Sequence, residues 1–409
     1  MNDCLNVVIT GEVDSGKSTL IGRFLYEMGL VPAAVMKDIE NTCQKSGGDF
    51  EFAYLLDSFE EERNNQMTID STQAFLKIKK GREFIFIDVP GHEELIKNML
   101  CGSSYADAAI IVVDVQKSVE EQTKRHAFIL QLLGIGQIIL VFNKMDSAAF
   151  NEDVFNKVKN DAAGVFKNIN LVPKCFIPVS AKGGDNLLKK SKNMPWYDGA
   201  AVIEALGVFS RKGKDEGFRF PVQDIYNLAT GEKIIVGEVI SGQIKKGEKV
   251  NILPQNKECI VKEIRGLKKD LPVARAPQSI GLILDDMNGA SRGQVICKAL
   301  LPSVTREFTA KIFCVHPVKI GQTLIFRCAT QESPAKIKKI NGIWDTASFG
   351  LKAKEEFLGE TDIAEVIIAV ETPVVVEKYK GLHNLGRFIL QSDSKEINAV
   401  GVIIDANSY

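Results

Sequence analysis

The stretch Gly11-Glu-Val-Asp-Ser-Gly16-Lys17-Ser18-Thr19 constrains this chain more than any other, because it fits G-x-x-x-x-G-K-[ST] between a strand-like run and a helical pattern. Its glycines let the backbone curl so that N–H groups converge on phosphate oxygens, and the helix N-terminus that follows adds its positive end. Lys17 supplies a point charge to the β- and γ-phosphates, and Ser18 offers a hydroxyl to Mg2+.

From residue 1 to about 205, short apolar runs alternate with longer helix-like segments. The strand candidates are Leu5–Thr10, Ala74–Lys79, Phe84–Asp88, Ala109–Asp114, Ile138–Phe142 and Cys175–Val179. Buried β-branched runs separated by helices predict βαβ units, hence an α/β, mostly parallel, doubly wound sheet. The charged, glycine-containing stretch Arg211–Gly217 reads as a linker. Beyond it the short runs Ile234–Ile240, Lys249–Leu253, Glu258–Ile264, Ile280–Leu284 and Gln294–Lys298 predict an antiparallel β-barrel. A second all-β block holds Phe308–His316, Thr323–Thr330, Ala335–Asn341, Asp362–Val370, Arg387–Gln391 and Ala399–Ile404. The expected domains are therefore residues 1–210, 215–301 and 305–409.

Charge decides little about partners: 51 basic residues nearly cancel 52 acidic ones, which excludes an overall pull toward nucleic acid or anionic membrane. No apolar run approaches the roughly 18 residues that a membrane helix needs. The N-terminus has no basic stretch before an apolar one, so no signal peptide is expected. The eight cysteines are scattered without a C-x-x-C pair, the pattern of reduced structural thiols in a cytoplasmic protein.

Downstream motifs extend the reading of the loop. Asp88-Val-Pro-Gly91-His92 ends a buried strand, where the carboxylate faces the metal through water and the Gly91 N–H faces the γ-phosphate. His92 then stands where an imidazole orients the attacking water. Asn143-Lys144-Met145-Asp146 follows the run Ile138–Phe142. A carboxylate at Asp146 accepts from guanine N1–H and the exocyclic amine, whereas adenine offers only an acceptor at N1. Ser180-Ala181-Lys182, again after a strand, is placed to close over the base with backbone N–H groups. Within the charged segment Leu55–Asp70, Thr68 is the candidate second Mg2+ ligand, ordered when the γ-phosphate is present.

These ordered motifs resemble the translational-factor GTPases, and the two trailing barrels match the three-domain plan of elongation factor Tu and its archaeal and eukaryotic counterpart over essentially the whole chain. Several stretches are more similar to the large GTP-binding subunit of bacterial heterodimeric sulfate adenylyltransferase. They are Leu55-Leu-Asp57, Gln122–Ile129 with Leu132–Ile135, Asn193-Met-Pro-Trp-Tyr197, Arg219–Asp224 and Ser291-Arg-Gly293. The resemblance implies GTP/GDP and Mg2+ as ligands, with Asp14, Ser15, Gly16, Lys17, Ser18 and Thr19 on phosphates and metal, and Thr68 and Asp88 completing the metal site. It implies that Gly91 senses the γ-phosphate and His92 places water beside Lys17, while Asn143, Lys144 and Asp146 bind guanine with Ser180 and Ala181. The chain departs from the family at Glu12, where His or Ser is usual, at Gln66 and Met67 in place of Gly-Ile, and at Val89 in place of Thr or Ala.

On that resemblance the expected function is a GTP-hydrolysing subunit that drives ATP-dependent sulfate activation by a separate catalytic subunit. The implied partner is a small ATP-sulfurylase-type chain in a heterodimer, with no membrane. Only one phosphate loop of this kind occurs in the 409 residues, so no fused adenylylsulfate kinase is expected. The alternative is an elongation-factor-type GTPase carrying aminoacyl-tRNA to the ribosome. The basic pieces Lys77–Arg82, Lys268-Lys269 and Lys336–Lys339 are then phosphate contacts, although interspersed acidic residues read more simply as solvated surface. A third reading, suggested by Gln66, is a GTP-binding scaffold with negligible turnover.

Overall fold

The carboxyl ends of β-strands gather the candidate site on one edge of a sheet, and the order of those strands explains how. The computed structural model describes residues 3–31, 36–37, 52, 55, 72–78, 82–88, 106–132, 134–169, 171–210, 217–227, 231–267, 269–344, 356–379 and 381–406. The chain divides into two compact units, Met1–Lys212 and Gly213–Tyr409.

In the first unit the strands are β1 (Asp3–Gly11), β2 (Thr72–Ile78), β3 (Arg82–Asp88), β4 (Ala108–Asp114), β5 (Ile138–Asn143) and β6 (Cys175–Pro178), ordered β2-β3-β1-β4-β5-β6. All neighbours pair in parallel except β2, which runs antiparallel to β3. β4 and β5 are buried at every position, as parallel strands covered on both faces must be. Their helices include α1 (Lys17–Glu27), α2 (Glu121–Leu132), α3 (Glu152–Asn168) and α4 (Val202–Leu206). Ile9, Ile110, Val141 and Ile177 pack with Leu20, Ile21 and Phe24 of α1 and with Val202 and Leu206 of α4 in one core. Phe24 meets Phe86 of β3 edge-on, centroids 5.7 Å apart, which adds about 0.5–1.5 kcal/mol beyond area burial and sets the seat of α1 on the sheet.

Register aligns Ile9 with Asp88, Gly11 with Val112 and Asp114 with Asn143. The loop after β1, Asp88 at the end of β3, Asn143 at the end of β5 and the turn after β6 therefore share the carboxyl edge, where open α/β sheets bind ligands.

The second unit contains two closed six-stranded barrels. The first closes Lys249–Leu253, Lys257–Arg265, Gln278–Leu284, Lys233–Val239, Phe218–Asn227 and Val295–Lys298; the second closes Ser303–Cys314, Ile363–Val376, Gln331–Trp344, Thr323–Cys328, Arg387–Gln391 and Ile397–Ala406. The expected architecture, a parallel-sheet GTPase-type domain followed by two antiparallel barrels, is the one observed. Phe218–Asn227 is absent from the strand runs read from sequence, because Pro221, Arg219 and Asp224 obscure its alternation. Among the described residues no helix is long and apolar enough to cross a membrane.

Candidate nucleotide site

Gly16 turns the chain into α1 at φ 89°, and a Cβ at that position would collide with the Asn143 side chain. Only glycine meets both demands without strain. The N-cap of α1 is Gly16, which has no side chain to cap the first amides, and amides at a helix start suit an anion. The loop before it is braced internally. Ser15 Oγ donates to the Glu12 carbonyl at 2.8 Å, and Lys17 Nζ donates to the carbonyls of Gly11 and Glu12 at 3.0 and 2.7 Å. Lys17 is only 9% exposed. Burial lowers its ammonium pKa from the ordinary 10.5, against the opposing pull of the Asp88, Glu12 and Asp14 carboxylates. Among the described residues its hydrogen bonds go to neutral carbonyls, and a phosphate chain laid on the loop would add negative charge beside this buried cation.

Ser18 Oγ donates to Asp88 Oδ2 at 3.2 Å. A hydroxyl and a carboxylate, both hard oxygen donors, thus converge at the start of α1, a donor set that fits Mg2+.

At the other end, β5 delivers Asn143, 2% exposed, between two loops. Its Nδ2 donates to the Ser15 carbonyl and its Oδ1 accepts from the Ala181 N–H, both at 2.9 Å. Lys144 adopts φ 66° and its Nζ forms an ion pair with Asp114 Oδ2 at 2.8 Å. Asp114 ends β4, is nearly buried, and was not singled out from sequence; its register opposite Asn143 is the signal that identifies it. Met145 is fully buried and donates its N–H to the Val179 carbonyl, whereas Asp146 is exposed. Buried Ser180 accepts the Gly183 N–H on Oγ at 3.0 Å and so tightens the turn that follows β6.

Asp14, Ser15, Gly16, Lys17, Ser18 and Thr19 are brought into one cradle at the loop and the first turn of α1, with Asp88 beside Ser18. Asn143, Lys144, Asp146, Ser180 and Ala181 lie at the adjoining strand ends. Thr68, Gly91 and His92 lie outside the described residues, as do Gln66, Met67 and Val89. Glu12, noted only as a departure, has a definite place: its Oε1 accepts the Thr123 N–H at 2.8 Å, capping the first turn of α2. The same helix brings His126 Nδ1 to 2.9 Å from Thr10 Oγ1.

Comparison with known proteins bears on what this cradle serves. Residues 2–236 match the family model for the elongation factor Tu GTP binding domain, and residues 307–404 match that for the GTP-eEF1A C-terminal domain-like family. The chain is 36% identical to elongation factor 1-alpha of Methanoculleus marisnigri and 38% identical to that of Thermoplasma volcanium, in each case over 98% of this chain and 97% of the relative.

These full-length matches overturn the expected sulfate-activating role and its ATP-sulfurylase-type partner subunit, because the relatives are named for elongation. The geometry supplies the physical reason for the misreading. His126 bonds Thr10 beneath the phosphate loop, Arg219 pairs with Glu377, and Trp196 donates Nε1 to the Phe150 carbonyl at 3.0 Å. Three of the five stretches that suggested a sulfate partner thus contain a side chain engaged in internal structure, which says nothing about what the surface meets, whereas Ser291 and Arg292 of a fourth are exposed.

Proposed function

The chain belongs to the elongation factor Tu-type GTPase family, and from that premise we propose that it is an elongation factor of the 1-alpha kind, carrying aminoacyl-tRNA to the ribosome in the cytoplasm. The observation that carries the reading is end-to-end similarity to proteins named elongation factor 1-alpha, spanning the barrels as well as the nucleotide unit. The proposed domain limits are residues 1–210, 215–301 and 305–409.

Members of the family bind GTP and GDP and generally use Mg2+. In the proposed mechanism the amides of Asp14 to Thr19 and the Lys17 ammonium hold the phosphates, while Asn143 keeps the loop in register with the base end. Asp146 selects guanine by accepting from its two N–H groups, Lys144 flanks the base, and Ser180 and Ala181 close over it. Ser18, Asp88 and Thr68 would hold Mg2+, which when bound neutralises charge on the phosphates. Gly91 offers its N–H to the γ-phosphate and His92 orients water in line with it.

The test is binding of tRNA to the purified chain loaded with GDP or with a non-hydrolysable GTP analogue. Aminoacylated tRNA is expected to bind the analogue-loaded form at least about tenfold tighter than the GDP form, the usual scale of such coupling. Equal binding to both forms, or none to either, refutes the reading.

A further inference from the structure

The turn Ser180–Asp185, which carries proposed base contacts, is fastened to α1 by one side chain. Arg23, six positions beyond Lys17, donates from Nη1 to the Lys182 carbonyl at 2.8 Å and from Nη2 to the Gly183 carbonyl at 3.1 Å. Its Nε donates to Glu27 Oε1 at 2.7 Å, one helical turn on. Its guanidinium carbon lies 4.7 Å from the centroid of the Phe52 ring and 5.8 Å from that of Tyr26. A carboxylate and two rings therefore hold the planar fork in the orientation from which it reaches both carbonyls.

The far ends of the same peptides are tied within the turn. The Gly183 N–H donates to Ser180 Oγ at 3.0 Å, and the Gly184 N–H donates to the Ser180 carbonyl at 2.8 Å. Both peptide planes are thus held at their carbonyl and at their N–H. Asn143 holds Ala181 separately, through its N–H. Gly184 sits at φ 81°, and a Cβ there would run into Arg23 and Glu27, so the turn closes directly against α1.

We propose that Arg23 is a positioning residue for guanine selection, holding the Ser180–Gly184 turn against the helix that begins at the phosphate loop. The phosphate end and the base end of a guanosine nucleotide are then gripped by one piece of structure. Arg23 acts through the Lys182 and Gly183 carbonyls rather than on the nucleotide itself. The inference rests on the reading that Asp146, Ser180 and Ala181 meet the base.

The experiment follows release of GDP from the full chain by chase with excess unlabelled GDP, and competition between GDP and ADP. Arg23→Ala is expected to release GDP about tenfold faster and to narrow the preference for GDP over ADP by a similar factor, as loss of charge-assisted hydrogen bonds implies. Arg23→Lys, a point charge without the fork, is expected to fall between wild type and Arg23→Ala. Unchanged GDP release in Arg23→Ala overturns the proposal. So does equal acceleration of GDP and ADP release, which marks a loosened fold rather than a displaced base contact. Asp146→Asn, measured in parallel, separates the two layers. If it leaves the guanine preference intact, the base-contact reading fails and the proposal falls with it. If it abolishes that preference while Arg23→Ala does not reduce it, the positioning role alone fails.

Discussion

Asn143 Nδ2 donates to the Ser15 carbonyl at 2.9 Å, joining the residue that ends β5 to the phosphate loop across 128 positions of sequence. With Oδ1 accepting from Ala181, one buried amide serves the phosphate loop and the base turn at once. The role needs a donor and an acceptor on one side-chain group, which asparagine has and an ionised aspartate, acceptor only, lacks.

Asn143→Asp keeps the volume and the bond from Ala181 but sets a carboxylate oxygen against the Ser15 carbonyl. We expect it to cost at least about 3 kcal/mol of stability in the nucleotide-free chain, since about 1–3 kcal/mol is the range for a neutral buried group left unsatisfied and a charged one costs more. Denaturant unfolding at neutral pH checks this. A midpoint equal to that of wild type would show that the bridge does not support the fold.

His92 lies four positions past Asp88, the last residue of β3. A group that orients water acts mainly in the transition state, so His92→Ala is expected to slow single-turnover GTP hydrolysis by about 10²–10⁴-fold while GTP and GDP affinities barely move. Loss of affinity in step with rate would make the histidine structural.

Much of this site was legible because its parts follow strands that are buried on both faces. Ile138–Phe142 reads as an unbroken apolar run, and the tetrapeptide Asn143–Asp146 after it stands out against that background. Phe218–Asn227 was not legible, since its first barrel residues include Arg219, whose burial depends on Glu377, 158 positions away. Arg23 escaped for the same reason: its partners are backbone carbonyls about 160 residues on, and a carbonyl leaves no trace in residue identity. Thr68 and His92 rest on motif spacing alone.

Lys17 gives the site a pH dependence whose sign follows from its burial. Its folded pKa lies below 10.5, so the charged form penalises the nucleotide-free fold at low and neutral pH, and the penalty fades as pH rises through the lowered value toward 10.5. Bound phosphates favour the ammonium and draw the pKa back up. Between the lowered value and 10.5, GDP binding is therefore expected to take up protons and to weaken as pH rises. Calorimetry in buffers of different ionisation enthalpy measures the uptake directly. Equal proton exchange at neutral and alkaline pH would count against a lowered Lys17.

The second unit offers a test of a buried ion pair. Arg219, 2% exposed, donates from Nε to Glu377 Oε1 at 2.6 Å, and Glu377 is only 11% exposed. The remaining nitrogens of the guanidinium donate to the carbonyls of Phe218 and Ala299, each at 3.1 Å, and of Leu300. These bonds run between strand Phe218–Asn227 of one barrel, the connection at 299–300 and the end of strand Ile363–Val376 of the other. Glu377→Ala leaves the guanidinium buried without its counter-charge, and is expected to cost about 3–5 kcal/mol. Replacing both partners by apolar residues, Arg219→Met with Glu377→Leu, is expected to recover most of that loss, because the desolvation cost of the charges disappears with them. The chain has two tryptophans, Trp196 in the first unit and Trp344 in the second, so in a Trp196→Phe background Trp344 fluorescence follows the barrels alone during denaturation. A Glu377→Ala midpoint matching that background would mean the pair contributes nothing. A double variant no better than Glu377→Ala would mean that the carbonyl contacts of Arg219, rather than its charge pairing, hold this part of the unit together.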